Sequence, residues 1–197
     1  YMQMGDYDEA MKIYTPALEQ AEKLGDKAGM GQSLNNIGIV HRNKGDYDKA
    51  LGFLSRSLAI QEELGDKLGM GYSLNSIGLV HWNKADYDKA LGFLSRSLVI
   101  REEIGDKYGM GYSLNSIGIV HYNRGEYNRA VEHLEKSLNI QKEIGLKGLE
   151  LHSTIYLYLS YRYLGKDYDE QDIHSLIKDA ENIEFELNFR LYQLLDD

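Results

Sequence analysis

Histidine recurs at His41, His81 and His121, one every 40 residues, and a column of histidines is raw material for a metal site or a proton relay. The spacing argues against a shared ion. Zinc needs each imidazole nitrogen at about 2 Å, whereas packed helices lie about 8–10 Å apart, so three histidines in one column of stacked repeats cannot meet on one metal. Serine travels with histidine, as Ser73 does with His81, but the two lie on different faces of one helix with no third group to orient a base. The acidic pairs Glu62-Glu63 and Glu102-Glu103 fall near helix ends and read as solvated surface. Gly69-Met70-Gly71 lacks the preceding strand and the further glycines of a phosphate-cradling loop. No metal, no cofactor and no catalytic residue is expected, and the chain reads as non-enzymatic.

Asparagine is the better candidate. Asn35, Asn75 and Asn115 stay constant while neighbours on the same stripe change: Gln32 becomes Tyr72 and Tyr112, Asn36 becomes Ser76, Ile39 becomes Leu79, and Arg42 becomes Trp82 and Tyr122. An amide has donors and an acceptor, so it can pair with the main chain of an extended peptide whatever that peptide's sequence. The alternative is a ladder of asparagines that ties neighbouring repeats together. Asparagine favours helix only weakly, so a bare surface gives it no reason to recur. Tyr72, Trp82, Tyr112 and Tyr122 add apolar area of the kind enriched at interfaces. Asn43, Asn83 and Asn123 each precede a helix end, where asparagine is common.

The elements that position these residues follow from the repeat. Asp26–Gly65, Asp66–Gly105 and Asp106–Gly145 align without a gap, the first two agreeing at roughly three quarters of their positions. Such a period is the signature of units that bury their apolar faces by stacking. In the second unit Asp66 suits an N-cap and Gly65 the left-handed end of the helix before it. Leu74, Ile77, Gly78 and His81 then mark one helical face. Asn83-Lys84-Ala85 ends that helix and Asp86 caps the next. Tyr87, Leu91, Leu94 and Leu98 form one apolar stripe of the second helix, and Phe93, Ser97, Ile100 and Ile104 another. Asp88, Lys89, Gly92 and Arg96 should face water. Gly38, Gly78 and Gly118 stand mid-helix at a cost of about 1 kcal/mol each relative to alanine. With Ala50, Ala90 and Ala130 in the partner helix, they predict close backbone approach.

Leu-Asn-Asn-Ile-Gly (Leu34–Gly38) followed by Gly-Asp-Tyr-Asp-Lys-Ala-Leu (Gly45–Leu51) resembles the tetratricopeptide repeat, over residues 6–145. The family's usual unit is about 34 residues. The longer unit is similar to the extended-helix branch of kinesin light chains, Pins-type polarity adaptors and bacterial sensor proteins. His41, His81 and His121 stand where the family has an aromatic, and its frequent proline near the hairpin end is missing. The resemblance implies an all-α fold, a right-handed superhelical solenoid of antiparallel helical hairpins whose first helices line a concave groove. It places Gln32, Asn36, Tyr72, Tyr112, Arg42, Trp82 and Tyr122 on the groove. It also gives Asn35, Asn75 and Asn115 the role of holding a peptide main chain.

The expected organisation is a partial repeat at 1–25, full repeats at 26–65, 66–105 and 106–145, a degenerate repeat at 146–183, and a capping helix at 184–197. Tyr1 aligns with His41, so the chain is expected to be an excerpt of a longer protein. Pro16 should kink a helix over Asp6–Leu24. Helices are expected at Asp169–Glu181 and Glu184–Leu195, with Phe185, Phe189 and Tyr192 capping the stack or mediating a homo-oligomer. A formal charge of −9 argues against nucleic acid. No apolar run spans a membrane, and the absence of cysteine suits the cytoplasm. The expected role is a scaffold that binds a protein or peptide in the groove. The alternative is a regulatory or self-association segment of a bacterial signalling protein, a sensor kinase or nucleotide cyclase.

Overall fold

The computed structural model describes residues 4–168 and Gln171, within two compact units, residues 1–106 and 107–197. Every regular element among the described residues is an α-helix. The first unit holds α1 (Met4–Leu24), α2 (Lys27–Asn43), α3 (Tyr47–Leu64), α4 (Lys67–Asn83) and α5 (Tyr87–Ile104). The second holds α6 (Lys107–Asn123), α7 (Tyr127–Ile144) and α8 (Lys147–Tyr163). The expected helices at Asp169–Glu181 and Glu184–Leu195, and the tail aromatics with them, lie outside the described residues. Pro16 sits within a continuous α1.

Helix ends follow the chemistry of their residues. The Asp26 and Asp66 carboxylates accept from the backbone N–H of Gly29 at 3.0 Å and Gly69 at 2.9 Å, filling one orphan donor at each start. Gly65 closes α3 at φ 66°, which only glycine adopts cheaply. Asp46 and Asp86 occupy N-cap positions without a side-chain cap, which the sequence predicts for Asp86. The turn draws Asp46 N to His41 O and Asp86 N to His81 O, both at 2.9 Å. That brings the Asp46 carboxylate to the His41 ring at 3.2 Å, whereas the Asp86 carboxylate pairs with Lys89 at 2.8 Å and lies 3.6 Å from His81. Ala85 holds φ 57° where the other repeats have Gly45 and Gly125. A left-handed non-glycine residue costs about 1–2 kcal/mol, so Ala85→Gly should stabilise the first unit by about 1 kcal/mol, read as a higher urea midpoint. An unchanged or lower midpoint would mean that the turn carries no strain.

In the first unit α2 packs on α3 and α4 on α5, while α1 against α2 and α3 against α4 join the hairpins. Ala50, Leu54, Leu58, Leu74, Ile77 and Val80 form one continuous core, with Phe93 and Ile100 packed on it. Each fully buried leucine is worth about 1.5–3 kcal/mol. Asp88, Lys89, Gly92 and Arg96 face solvent as expected. Ile104 departs from its predicted stripe and is 38% exposed, because α5 ends there. In the second unit α7 packs against both α6 and α8. Ion pairs recur at the surface, Lys67 to Glu103 at 2.9 Å and Lys84 to Asp48 at 2.8 Å, with Lys27–Glu63 and Lys107–Glu143 alike. Pairs this exposed add little stability.

Candidate functional site

The first helices supply the candidate surface, and their sequences limit its chemistry. Neither α2, α4 nor α6 contains an Asp or Glu, in a chain with 31 of them. Across these three repeats acid is confined to the second helices and to the caps, and α8 carries Glu150. The exposed stripe of each first helix is thus built from amides, hydroxyls and aromatics, with lysine or arginine near its ends.

In the first unit, Gln32, Asn35 and Tyr72 come together in an open cleft of about 460 Å³ between the N-terminal halves of α2 and α4. Asp26, Asp66, Gln61, Leu64 and Leu68 complete its walls. Tyr72 is 43% exposed, Gln32 is exposed, and Asn35 and Asn36 are half-buried. Arg42 and Trp82 are half-buried in the last turns of α2 and α4, about 15 Å along the helix from this cleft. Arg42 Nη2 donates to Asn43 Oδ1 at 3.0 Å. Asn75 is buried in α4, 7% exposed.

The second unit carries a cleft of about 300 Å³ at the same place in its repeat, lined by Tyr108, Tyr112, Leu146 and Leu149. Tyr112 is 39% exposed and leans on Tyr108, with ring centroids 5.7 Å apart. Tyr122, expected among the exposed aromatics, is only 7% exposed. It meets the edge of Tyr156 at 5.3 Å and that of Tyr163 at 6.0 Å, and these rings remove it from the open face.

Asn35 and Asn115 take part in a buried polar seam, while Asn75 Oδ1 is buried without a hydrogen-bond partner among the described residues. Ser73 Oγ donates to Asn35 Oδ1 at 3.4 Å, from α4 to α2. Ser153 Oγ donates to Asn115 Oδ1 at 2.8 Å, from α8 to α6. Behind them Ser57, Ser97 and Ser137, each wholly buried, donate to the carbonyls of Gly31, Gly71 and Gly111 at 2.6–2.8 Å. Gln141 Nε2 bridges Ser137 at 2.6 Å and Ser153 at 2.9 Å. Sequence reasoning set Ser97 on an apolar stripe but gave these serines no bonding role. The signal was there, in a hydroxyl held at period 40 within an apolar stripe, where a buried polar group must find a partner.

The histidines pack within the hairpins. His41 stacks on Phe53 with centroids 5.3 Å apart, and His81 on Phe93 at 5.4 Å. Among the described residues no cluster of metal-ligating side chains forms. Burial lowers the pKa of His81 and of His121, outweighing Asp86 and the 2.7 Å contact of His121 with Glu126, which favour the charged ring. The fold therefore prefers both rings neutral, while the unfolded chain protonates them near the usual value of about 6.5. Stability should fall as pH drops through 6.5 and level off below the folded values. Melting temperatures at pH 7.5 and 5.5 test this: the doubly substituted His81→Phe, His121→Phe chain should lose less on acidification. An equal loss would place the acid sensitivity elsewhere.

The comparisons with known proteins fit this architecture. The sequence profile of the tetratricopeptide repeat matches residues 1–63 and 69–143. The chain matches no protein of curated function. Among solved structures it resembles BtubC (BKLC) from P. vanneervenii, at 18% identity and TM-score 0.73, over 98% of this chain and 77% of that one. A kinesin-light-chain-like protein of Podosopora anserina with nearly identical TPR-like repeats matches at 16% identity and TM-score 0.64, over 100% and 92%. A signal transduction ATPase with numerous domains and a tetratricopeptide repeat sensor, from Pyrococcus horikoshii, matches at 20% identity and TM-score 0.72. The chain lies wholly within that likeness but spans only 29% of the larger protein. At these identities the likenesses show the fold alone.

Proposed function

Because the chain belongs to the tetratricopeptide repeat family, whose members generally bind proteins, we propose that it is a non-catalytic scaffold that holds an extended segment of a partner protein against its first helices. The observation that carries this reading is the α2–α4 cleft, where Gln32, Asn35 and Tyr72 converge on an open, partly apolar space. An amide and an exposed aromatic in one concavity suit a ligand with both main-chain polarity and apolar side chains. Tyr72 and Tyr112 supply contact in the two units, with Gln32, Asn36, Arg42 and Trp82 as further contacts along the stripe. Asn75, Asn115 and Tyr122, being buried, would shape that face from behind. Peptides selected from a random library on the whole chain should lose at least tenfold in affinity, about 1.4 kcal/mol, on Tyr72→Ala or Tyr112→Ala, with the helical circular-dichroism spectrum of the folded chain kept. Undiminished binding by both variants would remove the first-helix face from the account.

Among the described residues no helix is long and apolar enough to cross a membrane. The partner is therefore sought first among proteins of the same compartment, with the cytoplasm the working choice. Self-association through the tail would involve Phe185, Phe189 and Tyr192, outside the described residues.

A further inference from the structure

One column of the repeat holds Gln61, Arg101 and Gln141, and the middle member shows what the site around it accepts. Arg101 is 2% exposed. Its Nη1 lies 3.7 Å from Oδ2 of Asp106, and its guanidinium carbon sits 5.0 Å from the ring centroid of Tyr72. A cap carboxylate and an aromatic face thus house a guanidinium inside the first unit.

One repeat earlier the same positions are Gln61, Asp66 and Gln32, and all three line the open α2–α4 cleft. Gln61 is shorter than arginine and uncharged, so the space that Arg101 fills in its own repeat stays open here. Gln61 is 6% exposed, yet its Oε1 has no hydrogen-bond partner among the described residues. Asp66 and Asp26 each accept one backbone N–H, and no cation among the described residues pairs with either. The cleft is therefore rich in acceptors. Leu68 and the exposed ring of Tyr72 offer apolar wall beside them.

We propose that the α2–α4 cleft is an arginine subsite, receiving the guanidinium of an arginine side chain from the bound partner segment. The assignment rests on the groove reading above and names the chemistry of one contact within it. A guanidinium carries five donors in a plane, which can meet the Asp66 carboxylate and the Gln61 carbonyl oxygen together. Its methylene stem lies naturally along Leu68 and Tyr72. A lysine ammonium is more strongly hydrated and lacks the planar fork, so it fits less well. The positive ends of α2 and α4 oppose a cation with about half a charge each, and so does Arg101 on the covered face of Tyr72, itself 3.7 Å from Asp106; the two cap carboxylates favour it. The equivalent cleft of the second unit has lost the carboxylate. Leu146 stands in place of Asp66, so the carboxylate is missing there, although Gln141 Oε1, like Gln61 Oε1, has no hydrogen-bond partner among the described residues. That cleft should not select arginine.

The test is an amide NMR titration of the whole chain with three blocked pentapeptides, Gly-Gly-Arg-Gly-Gly and its Lys and Leu counterparts. The Arg peptide should shift the amides of Gly29, Gly69 and Tyr72 saturably, with at least fivefold higher affinity than either counterpart. Asp66→Asn should weaken it about tenfold. Gln61→Arg, which fills the cleft from within as Arg101 fills its own site, should abolish the shifts while keeping the fold. Equal binding of the Lys peptide would overturn the assignment. Tighter binding of the Leu peptide at the same amides would also overturn it, while leaving the groove reading intact. If no peptide moves these amides at millimolar concentration, the subsite does not exist, and partner binding by the rest of the face is then decided by the Tyr72 and Tyr112 variants.

Discussion

Gly78→Leu should lower the stability of the first unit by 1–3 kcal/mol, the range for overpacking a filled core. A Cβ at this position would stand 2.7 Å from Leu94 Cγ, 2.9 Å from its Cδ2 and 3.2 Å from the Ala90 carbonyl oxygen. Real Cβ atoms essentially never approach below 3.0 Å, so α4 and α5 must move apart or Leu94 must leave its place. Leu94 is fully buried and has nowhere to go. The same contact recurs at Gly38 and Gly118, where an added Cβ would stand 2.6 Å from the matching leucine Cγ, so each of these hairpins depends on it. Gly92 is the internal control. It faces solvent with nothing within 4 Å of its Cβ position, and Gly92→Ala should stabilise the chain by about 0.4–1 kcal/mol through helix propensity and the unfolded state. Urea unfolding measures both. A midpoint unmoved by Gly78→Leu would show that the helices do not meet there.

Asn115→Ala should cost 1–3 kcal/mol of stability, the range for leaving a buried polar group without its partner. Asn115 is 4% exposed, and its Oδ1 accepts from Ser153 Oγ at 2.8 Å. Ser153 is itself wholly buried and also accepts from Gln141. Removing the amide strands that hydroxyl's hydrogen between two helices. Calorimetric unfolding, alongside affinity for a selected peptide, separates the two roles open to this residue. A strut gives a destabilised chain that still binds. A chain of unchanged stability that no longer binds would instead return the amide to the ligand.

How far the sequence carried the reading depends on whether the repeat supplied a comparison. Gly78 and Ala90 could be paired because three copies show a small residue in each column, and packing is the common cause. The asparagines recur equally well, but recurrence does not distinguish a strut from a ligand contact, since both are needed in every unit. The side chains that answer Asn35 and Asn115, namely Ser73 and Ser153, lie 38 residues further on in the next repeat, and only packing brings them together. Tyr122 was misplaced for a different reason. Its neighbours Tyr156 and Tyr163 belong to the degenerate repeat, where the internal alignment gives no guide. Asp86 read as a cap because its position is right, whereas its carboxylate makes no cap and goes to Lys89 at 2.8 Å, with His81 3.6 Å away. Local spacing could not foresee that choice between two nearby acceptor roles.

The central claim is that partners meet the face of the first helices, and it is tested most directly by a photo-crosslinker placed at Tyr72 and, as control, at Arg96. Tyr72 opens into the α2–α4 cleft, while Arg96 faces solvent on the second helix α5. Irradiated with a library-selected peptide, the chain should form its adduct from position 72 and little or none from position 96. Adducts of equal yield from both positions, or from position 96 alone, would contradict it.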